Sequence, residues 1–197
     1  FGGFVALALW LVQRYVGEYG LNIRNAALLA VLSTLPGGLM RGVGGVLADR
    51  YGAHSVTWWV LWVSWICLFL LSYPPTDLVI HTDGGGLSLQ LGLGVRWFTV
   101  LVMVLGIAWS FGRASVFKYI SEDYPDSIGA VTGVVSMVGG LAGFALPVLF
   151  GMLLDATGIR SSAFMVLYAW VWLSLIWMYW AEMRRTDVVQ RKADARG

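Results

Sequence analysis

Residues 26–73 read AALLAVLSTLPGGLMRGVGGVLADRYGAHSVTWWVLWVSWICLFLLSY. Two long apolar runs, Ala26 to Ala48 and Ala53 to Tyr73, flank a short turn that holds Asp49 and Arg50. A bilayer core about 30 Å thick takes about 20 apolar residues of helix, because a helix satisfies its own backbone where no water can. Each run is long enough to cross. Working outward, four further runs have the same character: Phe1 to Val16, Trp97 to Tyr119, Ile128 to Leu154 and Ser162 to Ala181. The expected fold is an all-α integral membrane protein with six transmembrane helices. Residues 1–181 form the membrane domain and 182–197 a tail.

Composition agrees. The 197 residues are 58% hydrophobic and only 12% charged, with mean hydropathy +0.74. A soluble domain carries about 25% charged residues, and disorder needs low hydrophobicity with high net charge. Cys67 is the single cysteine, so a disulfide scaffold is excluded. A net charge of +2 gives no basic surface for nucleic acid. The chain opens on Phe1 inside an apolar run and reads as a fragment whose start is missing. That run lacks the basic front of a signal peptide.

The longest connection is Pro74 to Gly94. Its Pro74-Pro75 pair, Gly84-Gly85-Gly86 and polar residues predict a loop. His81 in it reads as a solvated side chain rather than a metal ligand. The other histidine, His54, falls at the opposite membrane face, and no Cys/His cluster has metal spacing. No cofactor is expected. Lys and Arg favour the cytoplasmic side. With the tail inside, Arg50, Lys118, Arg184, Arg185, Arg191, Lys192 and Arg196 are cytoplasmic, whereas Arg14, Arg24, Arg96 and Arg160 lie outside or at that edge.

The two other basic residues, Arg41 and Arg113, lie within spans, and every acidic residue lies at a span end or in a loop. An arginine at depth costs about 2.5–3.5 kcal/mol on insertion scales and marks a functional site by default. Arg41 precedes Asp49 by eight residues, or about 12 Å of helix. Gly37, Gly38, Gly44 and Gly45 surround it and open space for a guanidinium, whose planar fork suits oxyanions. Snorkelling to the headgroups is the alternative. For Arg113 the two readings stand level, which makes it a second basic site at most.

Gly129, Gly133, Ser136, Gly140, Gly143 and Pro147 recur at alternating spacings of four and three, with Gly139 beside them. All fall on one helix face. Small residues let helices approach closely. Glycines in this number, with a proline that frees a carbonyl, also suit a helix that bends or admits a ligand to its backbone. Phe4, Trp10 and Trp109 are aromatic residues able to wall a cavity.

The stretch Gly44-Gly45-Val46-Leu47-Ala48-Asp49-Arg50-Tyr51-Gly52 resembles the G-x-L-A-D-R-x-G loop of the major facilitator superfamily. Two further stretches are similar to the C-terminal half of nitrate/nitrite porters, the NarK-like family. One is Gly112-Arg113-Ala114-Ser115-Val116-Phe117-Lys118-Tyr119-Ile120 with Tyr124-Pro125. The other runs from Gly129-Ala130-Val131-Thr132-Gly133 through Gly139-Gly140-Leu141-Ala142-Gly143-Phe144 to Pro147 and Gly151. The resemblance covers nearly all of the chain up to Ala181. It implies one six-helix half of a major-facilitator fold, opening at helix seven with Phe1-Gly2-Gly3-Phe4-Val5-Ala6. It makes Arg41 the anion-binding arginine, with Gly140 and Gly143 beside the substrate. Gly129, Gly133, Gly139 and Pro147 match the nitrate signature. Gly45, Asp49, Arg50 and Gly52 form a conformational-switch loop, with Asp49 facing the helix end near Ser127.

The implied activity is transport of nitrate or nitrite by alternating access, as proton symport or as nitrate/nitrite exchange, in the cell membrane with the C-terminus cytoplasmic. Its implied partners are the anion, protons, the lipid bilayer and an N-terminal six-helix half that carries a second arginine. Two alternatives remain: a transporter for another small anion, which needs Arg41 but not the glycine face, and a non-transporting six-helix membrane subunit. An enzyme is not expected, since the spans hold neither paired carboxylates nor a Ser/His arrangement.

Overall fold

The computed structural model describes the backbone of residues 2–74, 76–82 and 85–194, and the side chains of residues 2–74 and 92–181. Among these residues the helices are α1 (Gly2–Tyr19), α2 (Ile23–Leu39), α3 (Arg41–Tyr51), α4 (Ala53–Ser72), α5 (Val95–Asp123), α6 (Ile128–Thr157) and α7 (Ser162–Asp194). Five stretches are long and apolar enough to cross a membrane: Ile23–Tyr51, Ala53–Ser72, Val95–Asp123, Pro125–Thr157 and Ser162–Ala181. The expected first span is not among the five. α1 forms, but its second half carries Gln13, Arg14 and Glu18, which dilute its apolar character. α7 runs on as one helix past residue 181.

The second expected span is two helices. Its helical run is interrupted at Met40, where ψ is −1°. Pro36 loosens the turn before it, at Leu32, and Gly37, Gly38 and Gly42 weaken the helix around Met40 itself. The Met40 N–H still bonds the Pro36 carbonyl at 2.9 Å, and the Gly44 N–H bonds that of Met40 at 3.0 Å. Arg41 is thus the first residue of α3. At its other end α3 turns sharply into α4 through Gly52, whose φ of +84° suits glycine.

The connection between α4 and α5 is also more ordered than the expected loop. β1 (Thr76–Thr82) and β2 (Gly85–Leu91) pair antiparallel in the register Thr76↔Leu91 to Thr82↔Gly85. Thr76, Val79, Ile80 and Thr82 are β-branched and favour a strand, a signal hidden beneath the prolines and glycines around them.

α5 is the central helix. It packs on α2, α3 and α4, while α1 lies against α2 and α6, and α7 against α4. Tyr15, Leu11, Phe98, Leu105, Phe150 and Phe164 are fully buried in the main core. Lipid is as apolar as these side chains, so helices in it associate mainly through close packing. Glycine provides that closeness. A Cβ on Gly37 would lie 2.6 Å from the Gly106 carbonyl oxygen of α5, and one on Gly44 would lie 2.8 Å from the Phe111 Cα. α1 meets α6 similarly, since a Cβ on Gly2 would lie 2.7 Å from the Gly139 oxygen and 2.8 Å from the Gly143 nitrogen.

Gly37 and Gly38 supply an internally controlled test, because a Cβ on Gly38 would meet nothing within 4 Å. Gly37→Leu should destabilise the fold by about 1–3 kcal/mol through overpacking, and Gly38→Leu should not. Thermal melts of both variants in detergent measure this. Equal melting temperatures would remove the α2–α5 glycine contact as a determinant of the fold.

Candidate functional site

α3 positions Arg41. The face of α2–α3 that holds Gly37 and Gly44 is pressed on α5, which leaves Gly38, Gly42 and Gly45 in open space. Arg41 is exposed on the open side of α3. Its guanidinium carbon lies 5.7 Å from the ring centroid of Phe117 on α5, within cation–π range. The expected setting, glycines making room for a guanidinium, is therefore divided: Gly37 and Gly44 build the helix contact, and the open glycines border Arg41.

Arg113 lies on α5 one turn before Phe117 and is half-buried. It precedes Phe117 by four residues and so shares a face of α5 with the ring over which Arg41 lies. Arg41 and Arg113 are thus both placed on the Phe117 face of α5, one through its ring contact and the other through helix spacing.

The charged turn after α3 is tied to the end of α5. Asp49 Oδ1 accepts from Lys118 Nζ at 2.6 Å, and Glu122 Oε1 lies 3.3 Å from the same ammonium. The positive group that Asp49 contacts is this ammonium. Arg50 instead stacks over its neighbour Tyr51, 5.7 Å from the ring centroid. His54 Nδ1 and the Tyr119 hydroxyl lie 2.8 Å apart, and Thr57 Oγ1 and Ser115 Oγ 2.7 Å apart. α3, α4 and α5 are thereby joined by polar contacts at this end.

The glycine stripe of α6 also divides. Gly139 and Gly143 are buried. A Cβ on Gly143 would sit 3.3 Å from Val5 of α1, whereas one on Gly129, Gly133 or Gly140 would meet nothing within 4 Å. Pro147 sits within the unbroken α6. Trp10 packs edge-on against Phe150, with ring centroids 5.6 Å apart, and Trp109 donates Nε1–H to Ser64 Oγ at 2.9 Å. Phe4 lies against Gly106. These aromatics are packing residues here rather than the walls of a cavity. A cavity of about 560 Å³ does open between α3, α4 and α5, lined by Leu47, Tyr51, Trp59, Val60, Ile107 and Phe111 among others. It is mostly apolar, and neither in-span arginine lines it.

Sequence reasoning places Arg14 at a membrane edge, and the structure buries it to 3% exposure. Its two terminal nitrogens donate to Ser161 Oγ at 3.1 Å. Its guanidinium carbon lies 5.4 Å from the ring centroids of both Phe98 and Phe164. Glu18, one turn on, pairs with Arg160 at 4.0 Å. The available signal was the continuation of helical pattern past Val16 to Tyr19, which draws Arg14 inside the helix.

No protein-family model matches the chain. It is similar to a probable nitrate/nitrite antiporter, NarK1, of Thermus thermophilus, with 38% identity over 180 residues that take in 91% of this chain and 41% of that protein. It is also similar to a nitrite extrusion protein of Bacillus subtilis, at 29% identity over 94% of this chain and 43% of that protein. A probable nitrate transporter, NarT, of Staphylococcus epidermidis is 25% identical over 90% of this chain and 41% of its own length. The chain spans about two fifths of the length of these curated relatives. Its resemblance to nitrate and nitrite transporters extends along nearly all of its own length.

Proposed function

We propose that this chain is the C-terminal six-helix half of a secondary transporter for nitrate and nitrite, with α1 as the sixth span. The observation that carries the proposal is Arg41. It is an exposed guanidinium at the start of α3, bordered by glycines that touch nothing, and the only acid in α2 or α3 is Asp49, about 12 Å along the helix. A planar fork of N–H donors matches two oxygens of a trigonal anion. The relatives named for nitrate and nitrite supply the substrate class. Alternating access moves two halves about a site between them. The open glycines of α6 suit contact with an N-terminal half, and the Asp49–Lys118 pair is a solvent-exposed tie weak enough to open and close in a cycle. The membrane is the cell membrane, with the C-terminus cytoplasmic. Proton symport and anion exchange are both compatible with this half.

The test is uptake of labelled nitrate, nitrite and a panel of other anions by the full-length protein. Arg41→Ala should weaken nitrate binding by roughly a hundredfold or more, since charged hydrogen bonds contribute about 1.5–3 kcal/mol each. Arg41→Lys should restore little, because it keeps the charge and loses the fork. Near-normal uptake by the alanine variant at matched expression would sink the assignment. Preference for an unrelated anion would favour the other-anion alternative instead.

Gly140→Leu should abolish uptake and leave the melting temperature unchanged, since its side chain enters space that this half leaves empty. Wild-type uptake would reduce the stripe to composition. Asp49→Asn should slow cycling and preserve nitrate affinity, because Asp49 pairs with Lys118 and not with the arginines. A large loss of affinity with normal cycling would instead make Asp49 part of the pocket.

A further inference from the structure

The transport reading leaves the cavity between α3, α4 and α5 without a role. It lies apart from Arg41. At 3.6 residues per turn, Leu47 of its lining falls about 60° to one side of Gly44, the residue pressed on α5, and Arg41 falls about 60° to the other. The cavity therefore flanks the α3–α5 contact on the side away from Arg41. It is bounded by α3 and α4, whereas α6, with its open glycines, packs on α1, α7 and α5. Along the helices it runs from Tyr51 and Ser55, beside the turn between α3 and α4, to Val63 midway along α4 and Val104 on α5. Ser55 to Val63 is eight residues, or about 12 Å of helix. An apolar hollow stays dry, and in a bilayer the material at hand to fill it is an acyl chain.

The rim has the character of a membrane surface. Tyr51 and Trp59 both line the cavity and are both exposed, and such rings settle at headgroup level. The Arg50 guanidinium carbon lies 5.7 Å from the Tyr51 ring centroid, which puts an exposed cation at the mouth. The ring holds the face of the guanidinium and leaves its N–H edges for another group. Among the described residues no carboxylate pairs with Arg50: Asp49 and Glu122 both go to Lys118, and Glu18 to Arg160. A guanidinium fork matches two phosphate oxygens. We propose that this cavity binds an acyl chain of an anionic phospholipid whose phosphate sits on Arg50. The chain gives no selectivity, since the surrounding lipid is equally apolar. The headgroup gives it, because a basic residue at the membrane surface favours anionic lipid. The bound lipid bridges α3 and α4 beside Gly52, the turn at which the two helices part.

The experiment uses full-length protein purified in detergent, supplied with phosphatidylglycerol or phosphatidylcholine of matched chains. Native mass spectrometry counts the retained lipid, and melts give the rise in melting temperature on adding it. Wild type should prefer phosphatidylglycerol about fivefold, the selectivity of one basic residue near the surface. Arg50→Gln should bring the two lipids level and still retain both. Arg24→Gln, which removes the same charge from the other end of the span, should keep the preference. An equal fall in both variants would make the preference a matter of net charge and overturn the headgroup site. Val104→Trp puts a large ring into the hollow. It should retain several-fold less of either lipid and lose most of the lipid-induced rise, while its lipid-free melting temperature stays at or above that of wild type. Leu28→Trp, at an exposed position of α2 outside the cavity, should change neither reading. If Val104→Trp fails to fold, Val104→Phe decides on the same two readings. Unchanged retention in the variant that fills the hollow overturns the acyl-chain site, and an unchanged preference in Arg50→Gln overturns the headgroup contact. A wild type that retains both lipids equally, or neither because the N-terminal half covers the cavity, overturns the proposal. None of these readings involves nitrate, so the transport reading stands or falls separately.

Discussion

The contact between α2–α3 and α5 is the constraint on which the arrangement depends. Spans in a bilayer gain little by burying apolar side chains against one another, since the lipid offers the same environment. What holds them is the number of atoms in contact at short range. Gly37 and Gly44, seven residues apart, bring one backbone onto another at Gly106 and Phe111. Any side chain at either position would push α3 away from α5. The polar contacts at the end of α5, Asp49 with Lys118 and His54 with Tyr119, are reachable only because this approach is already made. So is the stacking of Arg41 on Phe117. The glycines determine the site without touching it.

Much of this was legible in the sequence, for a simple reason. Run length and the absence of charge identify spans directly, so five of the six expected helices recur as apolar stretches in the structure. Chemistry that depends on residue type was legible too, which is why Arg41 and Arg113 stood out among carboxylate-free runs. The partition of glycines was not legible. Gly37 and Gly38 are adjacent, as are Gly44 and Gly45, and periodicity alone treats each pair alike. Only the position of α5 separates the packed member from the open one. The break at Met40 was not legible, because Pro36 acts one turn before itself and a glycine-rich run can bend or end where tertiary contacts choose. The hairpin at 76–91 was masked because turn-forming residues outweighed a short β-branched pattern.

Arg14 shows why an arginine within a span is insufficient evidence of a ligand site. By depth alone it would rank with Arg41. Its guanidinium, however, is enclosed between two phenylalanine rings and donates twice to Ser161. These contacts join α1 to α5 and to the start of α7, and they leave an anion no approach from solvent. Arg41 presents the opposite combination, with one ring beneath it and open space around it. Both guanidiniums lie over aromatic faces, Arg14 buried and Arg41 exposed. They differ in whether the hydrogen-bonding edges are occupied, and that difference separates a structural cation from a binding one.

The same distinction applies to whole helices. α6 is among the most apolar helices in the chain and also among the least buried. In water such a helix would be an aggregation hazard. In a bilayer its exposed leucines and valines require no partner, so apolar exposure says nothing about what covers it. Its glycines carry more information. A glycine facing lipid weakens a helix and contributes no compensating contact, so Gly129, Gly133 and Gly140 cost stability wherever they meet acyl chains. Gly139 and Gly143 recover that cost by admitting α1 at close range. Among the described residues nothing supplies the corresponding return for the three open glycines, and a backbone or a ligand needing their empty space is the chemistry that fits.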